Sequence, residues 1–327
     1  MKSILIIKPS SLGDIVHTLP AVSAIRDAHP QSEITWVINP EWIPLLRGNP
    51  DVNHVHIFPR GEFRGLNAPR SLWPWLKKLR KLRPDAALDF QGLLRSALIA
   101  RISGAREILG MSNGREGSRL LYKRVARVNR RAHAVERYLK LAEAFGAKIG
   151  DQLRCPLPSG DPLPRFDEYP PYILLHPFAR GEGKSLTGNV IEEITRAFAP
   201  TRVVVVGTSK RKFPVLENCI DLTTQTSLLQ LIHLIRRAHF VISVDSGPMH
   251  IAAAVTDRLL SIHTWTNPQR VGPYNPDAWI WKHGKLIRVS ELETTKLRRH
   301  GRRFKAKDVP AIAELIRPLV PIDPMLV

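Results

Sequence analysis

Ser3-Ile4-Leu5-Ile6-Ile7-Lys8-Pro9-Ser10-Ser11-Leu12-Gly13-Asp14-Ile15-Val16-His17-Thr18-Leu19-Pro20 decides how this chain folds. The apolar run Ile4–Ile7 has the length of a strand. Lys8, Pro9, Ser10, Ser11 and Gly13 are turn chemistry. From Ile15 the apolar residues recur at helical spacing, as Ile15, Leu19, Val22 and Ile25. The stretch therefore reads as strand, tight loop, helix, with Asp14 at the helix start. Ser10, Ser11 or Asp14 can cap the free backbone N–H groups there. A lone aspartate at a helix start is most often only a cap. Two features argue for more. Ligands of open α/β sheets sit at the carboxyl ends of strands, where this loop lies. The residues around the single carboxylate are small and leave room for a reactant.

The same alternation continues outward. Glu33–Ile38, Val52–Phe58, Asp85–Phe90 and Glu107–Met111 read as strands. Leu72–Leu82 reads as a basic amphipathic helix, a further helix starts near Leu94, and His133–Phe145 is a helix ended by Gly146. Residues 147–170, with Pro156, Pro158, Pro162, Pro164, Pro170 and Pro171 close together, read as a linker. A second series follows, with strands at Tyr172–Leu175, Arg202–Val206 and Phe240–Val244 and a helix at Ser227–Ala238. The expected fold is α/β: two doubly wound, Rossmann-like domains, 1–150 and 151–327, facing across a cleft. The last helix is free to pack back on the N-terminal domain.

At 327 residues the chain suits two cores. It has no apolar run of the roughly 18 residues a membrane span needs, and no signal-peptide pattern precedes the first strand. Cys155 and Cys219 are its two cysteines, which suggests neither a disulfide framework nor a metal cluster. The charge is unusual: 49 Lys and Arg against 29 Asp and Glu, net +20. Residues 60–137 alone hold 19 basic and six acidic side chains. Such a balance implies a polyanionic partner: nucleic acid, an anionic membrane surface or a phosphorylated substrate. No helix-turn-helix, zinc-finger or aromatic RNA-binding signature supports nucleic acid. The Gly-x-Gly-x-x-Gly loop of a dinucleotide-binding dehydrogenase is missing after the first strand.

Two further stretches have the chemistry of anion sites. In Phe240-Val241-Ile242-Ser243-Val244-Asp245-Ser246-Gly247-Pro248-Met249-His250 a buried strand ends at Asp245 and a small-residue helix begins near Gly247, offering free N–H groups. Leu175-His176-Pro177-Phe178-Ala179-Arg180-Gly181-Glu182-Gly183-Lys184 leaves the first strand of the second half. Its glycines let backbone approach a phosphate that Lys184 can neutralise. It lacks the spacing of a P-loop.

Lys8–Pro20, together with the Asp245-Ser246-Gly247-x-x-His250 segment, resembles the signatures of glycosyltransferase family 9, the ADP-heptose:lipopolysaccharide heptosyltransferases. Asp89-Phe90-Gln91-Gly92-Leu93-Leu94-Arg95-Ser96 and His133-Ala134-Val135-Glu136-Arg137 resemble the heptosyltransferase I branch, which adds the first heptose to the inner core. The resemblance implies an inverting, metal-independent transferase of the GT-B type. Its donor would be ADP-heptose and its acceptor a Kdo-lipid A type glycolipid, with no cofactor. The enzyme would be cytoplasmic, held peripherally at the inner face of the inner membrane, with no specific nucleic acid as partner. Asp14 would be the general base, supported by Ser10, Ser11 and Gly13. Lys184, or its rival Arg180, would meet the donor phosphates with Ser246 and Gly247, while Asp245 and His250 shape that loop. Arg60, Arg64, Arg95, Arg115 and Arg137 would bind the acceptor. Three departures stand out. Ser185-Leu186 replace an aromatic residue and proline after Lys184. Arg211 stands where the family often has a glutamate against the donor ribose. Thr264-Trp265 replace Gly-Pro before Thr266-Asn267-Pro268. A different sugar nucleotide, an inactive family member and a non-catalytic polyanion binder are the competing readings.

Overall fold

The structure is a computed structural model that describes residues 1–63, 68–164, 171–181, 183–209, 213–292 and 301–320. Arg64 and Arg211 lie outside the described residues. The chain divides into two units, Met1–Pro158 and Ser159–Val327.

The first unit runs β1 (Ser3–Ile7), α1 (Leu12–Ala28), β2 (Glu33–Ile38), β3 (His54–Ile57), α2 (Ala68–Leu82), β4 (Ala86–Asp89), α3 (Leu94–Ile102), β5 (Glu107–Met111), β6 (Arg124–Ala126) and α4 (Ala134–Ala144). All six strands are parallel, in the order β3-β2-β1-β4-β5-β6. This is the doubly wound order, and its switch point lies between β1 and β4, where ligands of such sheets bind. Helix α1 is buried well beyond one stripe: Val16, His17, Thr18 and Ala21 are covered as fully as Ile15 and Leu19, and α1 packs along α4. The helical spacing of the apolar residues therefore understates how deeply α1 is embedded. Pro20 inside α1 has no N–H for the carbonyl of Val16; the Cys155 thiol reaches that oxygen at 3.8 Å.

That contact moves the domain boundary. Residues 151–158, assigned from sequence to the second domain, belong to the first unit. Arg154 pairs with Asp27 and Asp51, and the Pro156 carbonyl accepts from Asn49 Nδ2 at 3.0 Å. The prolines hold an extended strap against the first core; they do not mark a free linker over that span.

The second unit runs β7 (Tyr172–His176), α5 (Gly188–Ala197), β8 (Arg202–Val205), β9 (Cys219–Asp221), α6 (Leu228–Arg237), β10 (Phe240–Val244), α7 (Gly247–Val255), β11 (Leu259–Ile262), α8 (Pro268–Val271), β12 (Trp279–Lys282), β13 (Lys285–Arg288) and α9 (Val309–Ile316). Its sheet order is β13-β12-β11-β10-β7-β8-β9. Strands β9-β8-β7-β10-β11-β12 repeat the winding of the first unit, and β13 adds an antiparallel edge. The β12–β13 turn is the two residues His283 and Gly284, both left-handed (φ 57° and 82°), as such hairpins require. Helix α9 lies within the second unit. Ile312, Ala313 and Ile316 pack with Val190, Ile191 and Ile194 of α5 in the second unit's own core.

Candidate functional site

In the first unit, β1 and β4 deliver their C-terminal ends side by side, with Ile7 in register with Asp89. The residue after β1 is Lys8, and its side chain is buried (2% exposed). A buried ammonium needs partners. Lys8 Nζ donates to Tyr138 Oη at 2.9 Å and to the Phe90 carbonyl at 3.2 Å, and lies 3.8 Å from Asp14 Oδ1. Burial alone would lower the Lys8 pKa, but Tyr138, Asp14 and Asp89 outweigh it and the net shift is upward. Tyr138 is pushed up, chiefly by burial, so it stays a neutral phenol.

Asp14 is the third residue of α1. Its Oδ2 accepts from the Ser11 backbone N–H at 3.2 Å and the Ser11 hydroxyl at 2.9 Å. Its Oδ1 accepts from Tyr138 Oη at 3.3 Å. The carboxylate thus does cap the helix, and it is still 42% exposed. The cap holds one oxygen and leaves the group open to a reactant. Gly13 is buried in the same turn.

Asp14, Ser10 and Ser11 open onto a cavity of about 320 Å³, also lined by Asn39, Arg60, Gln91 and Arg95. Two of the predicted acceptor arginines therefore stand at the wall that holds Asp14. The side-chain oxygens of Asn39 and Gln91 are buried with no hydrogen-bond partner among the described residues. Arg137 Nε, on α4 one residue before Tyr138, is in the same condition. Arg115 is exposed, and its backbone N–H joins the Gly92 carbonyl at 2.8 Å. The loop after β4 is fixed by Asp89, which is fully buried. Its Oδ1 accepts from the N–H groups of Gln91 (2.9 Å) and Gly92 (3.0 Å), and its Oδ2 from Ser96 Oγ (2.8 Å) and Tyr122 Oη (2.7 Å). Burial raises the Asp89 pKa in spite of those four donors.

In the second unit the equivalent strand ends are those of β7 and β10. Lys184 Nζ lies 3.0 Å from Asp245 Oδ2. Gly183 precedes it with φ +73°, and a Cβ there would come within 2.9 Å of Trp265 Nε1. Burial would raise the Asp245 carboxyl, but His263, Lys184 and the Thr266 hydroxyl together hold it below the ordinary value. Ser246 is the N-cap residue of α7, and its hydroxyl faces His176 Nδ1 at 3.1 Å. His250, on the first turns of α7, is buried and acts electrostatically on His263. His263 sits between Ser261 Oγ (2.7 Å) and Thr266 Oγ1 (2.9 Å). Burial pushes both His176 and His263 down to about 4. Arg180 is exposed, without a partner among the described residues. Lys282 is fully buried, donating to the carbonyls of Thr264 (3.1 Å) and Thr266 (2.9 Å), so the Thr264-Trp265-Thr266 loop is tied to β12.

The sequence reading missed Lys8, Tyr138, Asn39, Gln91, His263 and Lys282 as site residues. Among the described residues no cluster of three or more His, Cys, Asp or Glu side chains is placed to hold a metal ion.

Two units that each carry a six-stranded parallel, doubly wound array, the second with an added antiparallel edge, and a polar constellation at each switch point have the fold of the GT-B class of glycosyltransferases. A family model described as glycosyltransferase family 9 (heptosyltransferase) matches residues 72–298, well over half of the chain. The chain belongs to that family and is a glycosyltransferase. Lipopolysaccharide core heptosyltransferase OpsX of Haemophilus influenzae is 26% identical over 291 residues, 84% of this chain and 82% of the relative. Lipopolysaccharide heptosyltransferase 1 of Salmonella typhimurium is 26% identical over 298 residues, covering 83% and 91%. The fold is similar to that of E. coli heptosyltransferase WaaC with ADP, with a TM-score of 0.75 at 22% identity over 97% of this chain and 99% of that one.

Proposed function

We propose that this chain transfers a heptose from ADP-heptose to an inner-core, Kdo-lipid A type acceptor of lipopolysaccharide, with inversion at the anomeric carbon. One observation carries the reading: Asp14 is half-open on a cavity that also presents Arg60 and Arg95, with its two oxygens oriented by Ser11 and Tyr138. A sugar nucleotide is already activated, so the enzyme needs a base for the acceptor hydroxyl and charge for the leaving group. Asp14 takes the hydroxyl proton as that oxygen bonds to the anomeric carbon. The bond from that carbon to the diphosphate breaks, and the electron pair leaves with ADP. In the second unit Lys184 and the N–H groups at Ser246 and Gly247 receive that negative charge. Asp245 orients Lys184, and His250 packs behind the loop. Arg60, Arg64, Arg95, Arg115 and Arg137 match phosphate and carboxylate groups of the acceptor bidentately. No metal or cofactor is required by this scheme.

Relatives that are lipopolysaccharide heptosyltransferases, and the E. coli WaaC structure with ADP, support the donor and the acceptor class. The same cationic surplus supports work at the cytoplasmic, anionic face of a membrane, and the lack of a nucleic-acid-binding signature in the sequence argues against nucleic acid as the partner. No helix among the described residues is long and apolar enough to cross a membrane. A thermal-shift comparison of ADP, UDP, GDP and CMP tests the donor. A specific nucleotide at 100 times its dissociation constant adds about 2.7 kcal/mol of stability. The largest shift is expected with ADP. A flat response to all four overturns the reading, and a larger shift with another nucleotide replaces the donor.

A further inference from the structure

Helix α2 has a face that the transferase chemistry does not use. Leu72, Trp75, Leu76, Leu79 and Leu82 turn inward, Trp75 and Leu79 into the core and the rest packed against it. The opposite ridge, at the i, i+4, i+7 and i+11 positions, is Arg70, Pro74, Lys77 and Lys81, all exposed. Trp73 stands at its flank, 63% exposed, with Lys77 Nζ 5.7 Å from the ring centroid. Between Glu62 and Asp85 the sequence holds no acidic residue. Helix α3 packs beside α2 over the same core. It exposes Leu94 (41%) and Leu98 (42%) one turn apart, while its Arg95, Ser96 and Ile99 line the cavity of Asp14.

We propose that the outer face of α2, with Trp73 and the neighbouring leucines of α3, docks on a bilayer surface rich in anionic headgroups and brings the Asp14 cavity to acceptors held there. The inference rests on the transferase reading only for its purpose. Three cations on a ridge that itself carries no carboxylate attract anionic lipid; on the α3 side of this surface the acidic Glu116 accepts from the Leu94 N–H at 3.2 Å. An exposed indole beside them suits the headgroup layer, where one edge is apolar and the other wet. The inward face of α2 is occupied by the core, so the helix lies on the surface by its cationic side and does not bury an apolar stripe. Exposed leucines beside the ridge favour lipid over a nucleic-acid backbone, which offers them nothing.

Flotation of the whole chain with vesicles of phosphatidylglycerol and phosphatidylethanolamine, against pure phosphatidylcholine, tests this. The wild type is expected to float only with the anionic vesicles and to be released by salt. Lys77→Ala with Lys81→Ala is expected to weaken binding roughly thirtyfold, and Trp73→Ser to weaken it severalfold. Lys285→Ala with Lys307→Ala, which removes the same charge from the second unit, is expected to change little. Sugar transfer to a soluble, deacylated acceptor stays at the wild-type rate in the α2 variants, while transfer to vesicle-embedded acceptor falls. Equal losses in the two double variants, or no binding to anionic vesicles, overturn the proposal. Duplex DNA displacing the vesicles through the same lysines overturns it in favour of nucleic acid. If no acceptor is glycosylated at all, the transferase reading fails and the flotation result still decides this one.

Discussion

Lys184 Nζ and Asp245 Oδ2 are 3.0 Å apart at the ends of two neighbouring structural segments, the loop after β7 and the end of β10, and both are largely shielded from solvent. The ammonium is held by a carboxylate where a diphosphate would also claim it. Lys184→Ala is therefore expected to weaken ADP binding by about 1.5–3 kcal/mol, the value of a charge-assisted contact. Calorimetry on the purified variant reads this directly. Unchanged affinity transfers the role to Arg180.

Asp14→Asn is expected to lower transfer by about 10²–10⁴-fold, as loss of a general base does, with ADP affinity intact. The amide still accepts from Ser11, so unfolding free energy changes by no more than about 1 kcal/mol. A variant that transfers at the wild-type rate reduces Asp14 to a helix cap.

Tyr138→Phe removes the hydroxyl that accepts from Lys8 and donates to Asp14. The buried ammonium loses one acceptor and the carboxylate one donor. Urea denaturation is expected to show a loss of about 1–2 kcal/mol. Turnover falls with it while the ADP dissociation constant holds. A stability loss with unchanged turnover assigns Tyr138 to the core alone.

His176 and His263 are buried neutral and titrate near 4, against about 6.5 in an unfolded chain. Between those values the unfolded state binds more protons, so stability rises with pH across that window. The contribution is fully present above pH 6.5 and is lost as the pH falls toward 4, on the order of 3 kcal/mol per histidine. Protection factors at β7 and β11 amides, that is, exchange corrected for the intrinsic rate that itself slows in acid, are expected to fall from pH 7 to 4. His263→Gln is expected to flatten the profile.

Gly110→Ala places a methyl group on the ring of Tyr122. The ring must leave, and its hydroxyl then abandons Asp89. Overpacking and the loss of one of the four donors to the buried Asp89 carboxylate together cost about 3 kcal/mol. A denaturation midpoint within error of wild type shows that the ring has room to shift.

Much of this was readable beforehand where local chemistry repeats. β2, β5 and β10 span the residues their apolar runs mark, and the loop from Pro9 to Asp14 declares itself by its turn residues. The edge strands β6 and β9 are three residues each and too short for a period to register. β11, β12 and β13 follow one another with no long helical pattern between them, so nothing announces a sheet edge. The helpers of Asp14 were hidden by distance and by expectation. Tyr138 is 124 residues away, and on α4 it reads as an ordinary core aromatic. Lys8 and Lys282 read as solvated because lysines usually are. Their burial follows from where the strand ends fall, which only the assembled sheet reveals. Residues 151–158 misled in the other direction, since a proline-rich strap and a linker share a composition.

Asp89 never meets solvent, yet it fastens the β4–α3 loop, Ser96 and Tyr122 into one knot behind the cavity. Arg60 and Arg95, the rim arginines proposed to bind the acceptor, are not among the donors to Asp89. The frame and the recognition surface are thereby separable. Replacing Arg60 or Arg95 with other residues leaves the frame standing, so the anion pattern that this pocket accepts can drift, or be redirected by design, one rim position at a time.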